Sequence, residues 1–473
     1  MDATPVPEVE APPPQKRRRL RPLLVGALAV LLVGGGVTAA GGYFGWYGSE
    51  GTHPYDVMPA SMVAYVQLDL DPSLEQKAQA WAFLRDLPEV KATSGQPDPK
   101  RILWSFRDRL WLGSTWTDYD TDVAPWLGDR IGFGFLVHDT EPVWVTAIQV
   151  TDEAKAVGKI QEWLDKTQNS YEVTARDGYA IITGKGTASF FHAEQAAGLL
   201  GDDPGFTGDL RSVGDDGWLE GWIDFGELAA SSDTPSDEPG RASFALRFSG
   251  DTMEFDGTMR GGKHPLVNGA GQLGTLPAST GSAVCVTGSI TGAPPVPLPL
   301  PLPDVTRPWP KDGLNDADTA ALLANNVCVS APDSEVTGLF SGPDVLGMRI
   351  VADDPRRARE VLRTVATDIL PGHRLIADRI DGNVLTAATS SDYLAQIAAP
   401  RDVLSGLPDF TRAVPESTRA ALAFYLDLDP FTRRSVDAGS PYEPFVTSMK
   451  ALGGQYFDEG SGNGSWSVRI VRT

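Results

Sequence analysis

The feature of this sequence that most restricts its fold is an internal repeat. Three segments between residues 147 and 225 resemble three segments between residues 348 and 428, at a spacing of 201–204 positions. The pairs are 147–164 with 348–365, 171–190 with 373–394, and 218–225 with 421–428. A nearly constant spacing over three segments indicates that one folding unit occurs twice in the 473-residue chain.

Both copies show the same order of local patterns. An apolar strand is followed by an acidic turn and an amphipathic helix, and then by two alternating strands around Asp177-Gly178 or Asp381-Gly382. Asp-Gly pairs between alternating strands are typical of hairpin turns. We therefore predict an α+β fold, a tandem duplication of two units over residues 48–262 and 263–473. Each unit is expected to have largely antiparallel sheets with packed helices, and one transmembrane helix is expected to precede them.

The N-terminal region is the basis for the transmembrane prediction. Residues 1–22 are basic and rich in proline, which predicts a disordered cytoplasmic tail. Residues 23–47 carry no charge and are numerous enough to cross a hydrocarbon core of about 30 Å as a helix. A signal peptide cleaved after residues 38–40 is the alternative. Both explanations place residues 50–473 outside the cytoplasm, and the first makes the protein a single-pass component of the cell membrane with a cytoplasmic N-terminus.

Charge and cysteine content fit an extracytoplasmic location. The net charge of −22 repels phosphate backbones, so we predict that nucleic acid is not a partner. The chain has two cysteines, Cys285 and Cys328. In an oxidising compartment the simplest expectation is one disulfide, worth about 4 kcal/mol in the chain-entropy model. Two buried free thiols are the alternative.

The sequence contains no motif that identifies a catalytic chemistry. GAGQLG at 269–274 has the glycine spacing of a dinucleotide fingerprint, but no apolar strand leads into it. DYDTD at 118–122 resembles the start of a calcium loop, but Val123 stands where that loop needs glycine. The five histidines are scattered without ligand spacing. We therefore predict no cofactor, no metal and no catalytic residue.

Asp69, Asp71 and Pro72 form an Asp-x-Asp-Pro motif that has two explanations. Asp71 followed by Pro72 is the arrangement of a helix N-cap with proline at the first helical position, and we favour this role. The alternative is a pair of carboxylate ligands for a metal ion.

Two longer motifs carry a family resemblance. Residues 59–73 end in AYVQLDLDPS, and residues 125–134 read PWLGDRIGFG. Together with the N-terminal apolar segment they resemble an actinobacterial family catalogued as domain of unknown function 3352. The resemblance implies a single-pass envelope protein and brings no activity, cofactor or catalytic residue. The positions that carry it are Asp69, Asp71, Pro72, Trp126, Gly128, Asp129 and Arg130.

The predicted function is that of a cell-envelope module that binds or scaffolds another envelope component, either a protein or a glycan. The two units differ mainly in their loops, where binding surfaces are usually diversified. One alternative is an envelope hydrolase with an unrecognised carboxylate pair. Another is a carrier that holds a lipid or small ligand in an apolar cavity.

Overall fold

Sixteen strands form one continuous antiparallel sheet in the part of the chain that the computed structural model describes. The described residues are 52–92, 100, 118–138, 141–167, 170–214, 217–230, 240–261, 271–287, 318, 321–322, 326–338, 344–369, 375–430, 432, 439 and 443–473. The first half of the chain supplies β1 to β8: Ala64–Asp69, Leu127–His138, Glu141–Val150, Tyr171–Arg176, Tyr179–Gly184, Leu219–Asp224, Arg241–Ser249 and Thr252–Arg260. The second half supplies β9 to β16: Thr280–Thr287, Asn326–Pro332, Gly347–Val351, Ala377–Asp381, Val384–Ala388, Leu422–Asp427, Met449–Gly460 and Asn463–Arg472.

The two halves have the same order of strands. The sheet runs β4-β5-β3-β2-β1-β6-β7-β8 through the first half, and then β16-β15-β14-β9-β10-β11-β13-β12 through the second. Each strand of the second half therefore occupies the place of the strand eight numbers before it. The halves meet where β8 pairs with β16, with Asp256 opposite Ser467. We call this junction the seam.

This arrangement corrects the predicted fold class. The prediction gave each unit its own sheets, whereas the strands of both halves belong to a single sheet. The physical reason is that β8 and β16 would each be an unpaired edge in an isolated half, and pairing them satisfies both rows of backbone groups.

The transmembrane part of the prediction is also corrected. No helix within the described residues is long and apolar enough to cross a membrane. The segment assigned to that helix, residues 23–47, and the predicted tail before it lie outside the described residues.

Helices cover both faces of the sheet. They are α1 to α11: Leu74–Leu84, Pro88–Ala92, Tyr119–Asp122, Glu153–Thr167, Ala188–Ala197, Pro204–Ser212, Phe225–Ala230, Pro355–Ile369, Ser391–Ala398, Pro408–Ala413 and Glu443–Ser448. Alternate residues of a strand point to opposite faces. We call the face that carries Tyr65 and Gln67 face A, and the face that carries Val66 and Leu68 face B.

Face B is covered along most of its length. Helices α1, α4, α8 and α11 bury apolar side chains against it in three clusters. Face A is covered in two separate places, by α5 and α6 in the first half and by α9 and α10 in the second. Neither of these two clusters includes a buried residue of β7 or β8, but the second-half cluster reaches the seam through Val471 of β16. Apart from Val471, the paired residues that β8 and β16 place on face A are polar.

Candidate functional site

The register of the sheet allows the two halves to be compared position by position. Strands β6 and β14 correspond with a spacing of 203, so Glu220 corresponds to Ala423. Gln67 pairs with Glu220, and Cys285 pairs with Ala423, so Gln67 corresponds to Cys285. Continuing across the sheet, Gly132 corresponds to Cys328, Asp69 to Thr287, and Arg130 to Asn326.

The first half carries a connected polar network at these positions. We call His53, Gln67, Asp69, Arg130 and Glu220 the half-1 polar cluster. Gln67, which is 2% exposed, donates from Nε2 to Glu220 Oε2 at 3.1 Å. Its Oε1 atom accepts the hydroxyl of the neighbouring tyrosine on β1 at 3.0 Å and lies 3.4 Å from His53 Nδ1. The amide of Gln67 therefore links a carboxylate to an imidazole.

A buried ion pair lies at the other end of the half-1 polar cluster. Arg130 Nε donates to Asp69 Oδ2 at 3.4 Å, and both side chains are buried. The guanidinium also donates from Nη1 to the carbonyl oxygen of Thr52 at 3.1 Å. The hydroxyl of Tyr179 and the amide of Gln149 donate to the same carbonyl. These bonds hold the first described residues of the chain against the sheet.

Burial shifts the pKa values of Asp69 and His53 in the half-1 polar cluster. Burial raises the pKa of Asp69, and this outweighs the lowering by the Asp71 backbone N–H and by Arg130. Burial, followed by the nearby guanidinium, lowers the pKa of His53, so its imidazole is neutral at pH 7. An acid with a raised pKa beside a neutral imidazole is a feature that functional sites share with structural ion-pair networks.

The second half replaces the half-1 polar cluster with uncharged groups. Cys285 and Cys328 form a disulfide, with their Cα atoms 4.0 Å apart on directly paired positions of β9 and β10. Asn326 donates to the hydroxyl of Thr287 at 2.9 Å where the first half has its ion pair. Ala423 stands where the first half has a carboxylate. The shared scaffold therefore does not require charge at these positions, and the charged version in the first half is a candidate for function.

The structure brings the two resemblance motifs together. Asp69 and Arg130 are directly opposite each other on β1 and β2. The backbone N–H of Leu70 donates to the carbonyl of Asp129 at 2.7 Å, while the carboxylate of Asp129 pairs with Lys100 at 2.6 Å. The two motifs therefore form one local unit, although they are about 60 residues apart in the sequence.

The remaining motif residues have structural roles. Trp126 is 1% exposed and donates from Nε1 to the carbonyl of Asp122 at 2.6 Å. Gly128 is required by close packing, because a Cβ atom there would lie 2.7 Å from the backbone oxygen of Gln149. Pro72 is buried.

The predicted N-cap role of Asp71 is wrong. The helix begins at Leu74 with Ser73 as its N-cap, and Ser73 Oγ accepts the backbone N–H of Gln76 at 3.3 Å. The carboxylate of Asp71 instead forms an ion pair with Lys77.

A second polar group lies at the seam and was not predicted from the sequence. We call Arg247, Glu254, Asp256, Ser467 and Arg469 the seam cluster. Glu254 pairs with both arginines across β7 and β16, and Asp256 pairs with Ser467, so all five side chains lie on face A. Glu254 Oε1 lies 3.5 Å from Arg469 Nη2. Arg247 donates to the carbonyl oxygens at the C-terminal end of α6 at 2.7 and 2.6 Å.

Two polar atoms of the seam cluster are buried without a partner among the residues that the structure describes. They are Ser467 Oγ and Arg469 Nε. Burial and the negative charge of Glu254 raise the pKa of Asp256 to about 6, while Arg469 and Arg247 oppose the shift. The sequence signal was alternation, since Glu254, Asp256 and Thr258 are polar at every second position of β8. Alternation did not show that β16 is the neighbouring strand.

Metal binding has no support within the described ranges. No group of three or more histidine, cysteine, aspartate or glutamate side chains is placed to hold a metal ion there. In the acidic segment 118–122, Asp118 accepts backbone N–H groups at the start of α3, and Asp122 pairs with Lys159 at 2.9 Å.

Comparison with known proteins gives no functional identity. No protein-family description matches the chain, and no curated protein matches it. Two solved structures, crystal forms I and III of TP0453, are similar over 45% of this chain and over 79% and 81% of theirs. Their sequence identities are 6% and 8%, and their TM-scores are 0.23 and 0.24.

Proposed function

We propose that the protein is an extracytoplasmic binding module whose ligand-binding surface is face A, from the half-1 polar cluster to the seam cluster. The observation that carries the proposal is the difference between two halves built on one scaffold. Positions that hold a disulfide, a neutral hydrogen bond and an alanine in the second half hold a glutamine and a glycine, a buried ion pair and a glutamate in the first. Buried charges lower stability unless they are well paired. Their presence in only one of the two halves is therefore best explained by a functional role of the charged residues.

The extracytoplasmic location is supported by the chemistry of the chain. A disulfide between two buried cysteines persists in oxidising compartments and is rare in the cytosol. The partner we propose is another component of the cell envelope, either a protein or a glycan. A net charge of −22 argues against polyanionic partners such as nucleic acid.

Co-sedimentation with insoluble cell-envelope fragments tests this proposal. The purified protein is expected to sediment with the fragments, and Asp256→Ala is expected to stay largely in the supernatant. Asp381→Ala is the matched control, because Asp381 lies on edge strand β12 with a side chain that is 75% exposed. Equal sedimentation of all three proteins, or none of any, would contradict a binding role for face A.

One observation favours a second candidate function, hydrolysis by a carboxylate pair. Glu254 and Asp256 are on the same face of β8, which places their Cα atoms about 6.6 Å apart. A carboxyl with a pKa of about 6 beside one that is held near an arginine resembles the division between a general acid and a general base. Release of soluble sugar or peptide from the envelope fragments, abolished in Asp256→Asn, would establish hydrolysis. Binding to the fragments without release of soluble product would support the binding module and contradict hydrolysis.

A further inference from the structure

The seam cluster contains unsatisfied donors beside an acceptor, and this combination restricts what it can bind. Ser467 is 8% exposed, and its hydroxyl has no hydrogen-bond partner among the described residues. The same holds for the Nε–H of Arg469. Asp256 lies directly opposite Ser467, with Cβ atoms about 5 Å apart at such a pair. A buried polar group without a partner costs about 1–3 kcal/mol, which a ligand that supplies the partner recovers.

The charges of the seam cluster argue against an ionic ligand. Two arginines and two carboxylates face the same side of three adjacent strands, so their formal charges cancel when Asp256 is ionised. An anion placed here would meet Asp256 and Glu254, and a cation would meet Arg247 and Arg469. A neutral group that both donates and accepts hydrogen bonds meets no such repulsion, and a hydroxyl is the simplest group of this kind.

The position of the cluster distinguishes a sugar from a peptide. Peptides that bind sheets add to an exposed edge, where backbone N–H and C=O groups are unpaired. Here β8 and β16 are central strands with neighbours on both sides, so recognition falls to side chains. The row continues with Gln455 on β15, whereas β7 places the buried Ala245 between Asp256 and Glu220. Strands lie about 4.8 Å apart, so Asp256, Ser467 and Gln455 offer polar groups at regular steps across β8, β16 and β15.

We propose that the seam cluster is a subsite for a neutral oligosaccharide, in which sugar hydroxyls donate to Asp256 and accept from Ser467 and Arg469. This inference rests on the proposed binding function and names the chemistry of its ligand. The bound hydroxyls would satisfy both orphan donors and the carboxylate at once, whereas a fully ionised phosphate brings no donor and an ammonium group brings no acceptor.

Calorimetric titration of the full-length protein tests the proposal. The probes are cellotetraose and tetra-N-acetylchitotetraose as neutral sugars, inorganic phosphate as an anion and spermidine as a cation. At least one tetrasaccharide is expected to bind, and Ser467→Ala and Asp256→Asn are each expected to weaken it about tenfold or more. Thr364→Ala, on the exposed side of α8, is the control for loss of a hydroxyl and should bind as the wild type does. Thermal unfolding of each variant verifies that it is folded.

The pH dependence supplies a second readout with a definite sign. The groups that face Asp256 are Glu254 on its own strand, Arg247 on β7 and Arg469 on β16. A hydroxyl that donates to Asp256 needs the carboxylate ionised, so sugar affinity should rise about tenfold from pH 5 to pH 7.5 and the rise should vanish in Asp256→Asn. An anionic ligand would bind more tightly as the pH falls.

Three results would overturn the inference. They are binding of phosphate or spermidine in preference to both sugars, unchanged sugar binding in Ser467→Ala, and no binding of either tetrasaccharide. If the envelope fragments still retain the protein through Asp256 while neither sugar binds, the proposed binding function stands and the carbohydrate assignment fails. If the fragments do not retain the protein and neither sugar binds, the proposed binding function fails as well.

Discussion

Exchanging the buried ion pair of the first half for its neutral counterpart in the second half should reveal how strongly the two charges depend on each other. The perturbations are Arg130→Asn, Asp69→Thr and both together, which copy Asn326 and Thr287. Arg130 is 3% exposed and Asp69 is 9% exposed, so neither charge can turn to water when its partner is removed. Because breaking a buried pair leaves one uncompensated charge, Arg130→Asn should cost about 3–5 kcal/mol at pH 7.

The double variant should be more stable than Arg130→Asn alone. Its two side chains are neutral and can form the hydrogen bond that the second half makes at 2.9 Å. The remaining cost is loss of the bond from Arg130 to the Thr52 carbonyl, about 1–2 kcal/mol. A coupling free energy of about 2 kcal/mol or more between the two positions is therefore expected.

The sign of the pH dependence follows from the pKa of Asp69. Burial already raises this pKa above its ordinary value, and removing Arg130 removes one of the effects that oppose the rise. A raised acid pKa favours the folded state at low pH, and this advantage is lost as the pH rises from the unfolded value, about 3.9, through the folded one. The cost of Arg130→Asn should therefore increase with pH above about 4, and the double variant should lack this increase.

Urea unfolding of the wild type, the two single variants and the double variant at several pH values measures these free energies. The values can be compared if the free energy of unfolding depends equally steeply on urea concentration in all four proteins. Arg363→Asn is the control, because Arg363 forms an ion pair with Asp378 at 2.6 Å while its side chain is 63% exposed. It should change the free energy of unfolding by less than about 1 kcal/mol. The reasoning is refuted if Arg130→Asn costs no more than this control, or if the double variant is the least stable of the set.

Much of the local structure could be predicted from the sequence, because short-range chemistry determines it. The predicted hairpin turn at Asp177-Gly178 joins β4 to β5, and both residues have the positive φ angles, 50° and 81°, that such turns need. The equivalent turn at Asp381-Gly382 joins β12 to β13, with glycine at φ 59°. The amphipathic helices of the repeat are α4 and α8. Each depends on residues close together in the chain.

The pairing of the two halves could not be predicted in this way. Alternation shows which side chains of β8 share a face, but it does not show which strand lies beside them. The partner strand, β16, begins 211 positions after the first residue of β8. An apolar or alternating strand pairs with many others at similar cost, so only the complete set of contacts selects the neighbour. The predicted architecture therefore failed at the junction of the repeats.

The candidate site was predicted in part for the same reason. The resemblance motifs included Asp69 and Arg130, which the structure brings together. Gln67 also lies in the first motif, but the motif does not show that Glu220 on β6 and His53 are its neighbours. The seam cluster depends entirely on the long-range pairing and was missed.

Three further predictions concern the disulfide, the buried Arg472 and the seam carboxylate Asp256. Replacing Cys285 and Cys328 by alanine should lower the free energy of unfolding by about 4 kcal/mol, as expected for a closed loop with a sequence separation of 43, and a loss below 1 kcal/mol in urea unfolding would contradict this. Arg472 is 2% exposed and lies 5.6 and 5.5 Å from two phenylalanine rings, so Arg472→Ala should cost about 2–4 kcal/mol, whereas Arg363→Ala should cost less than 1. Asp256 has a pKa raised to about 6 because burial and a neighbouring carboxylate disfavour its charge. Its contribution to stability is therefore greatest below about pH 4 and is lost as the pH rises towards 6. Asp256→Asn cannot ionise, so relative to wild type it should gain about 1–3 kcal/mol in free energy of unfolding between pH 4 and pH 7. Parallel curves for the two proteins over that range would show that the pKa of Asp256 is not raised, and the reasoning from burial and the neighbouring Glu254 would then be wrong.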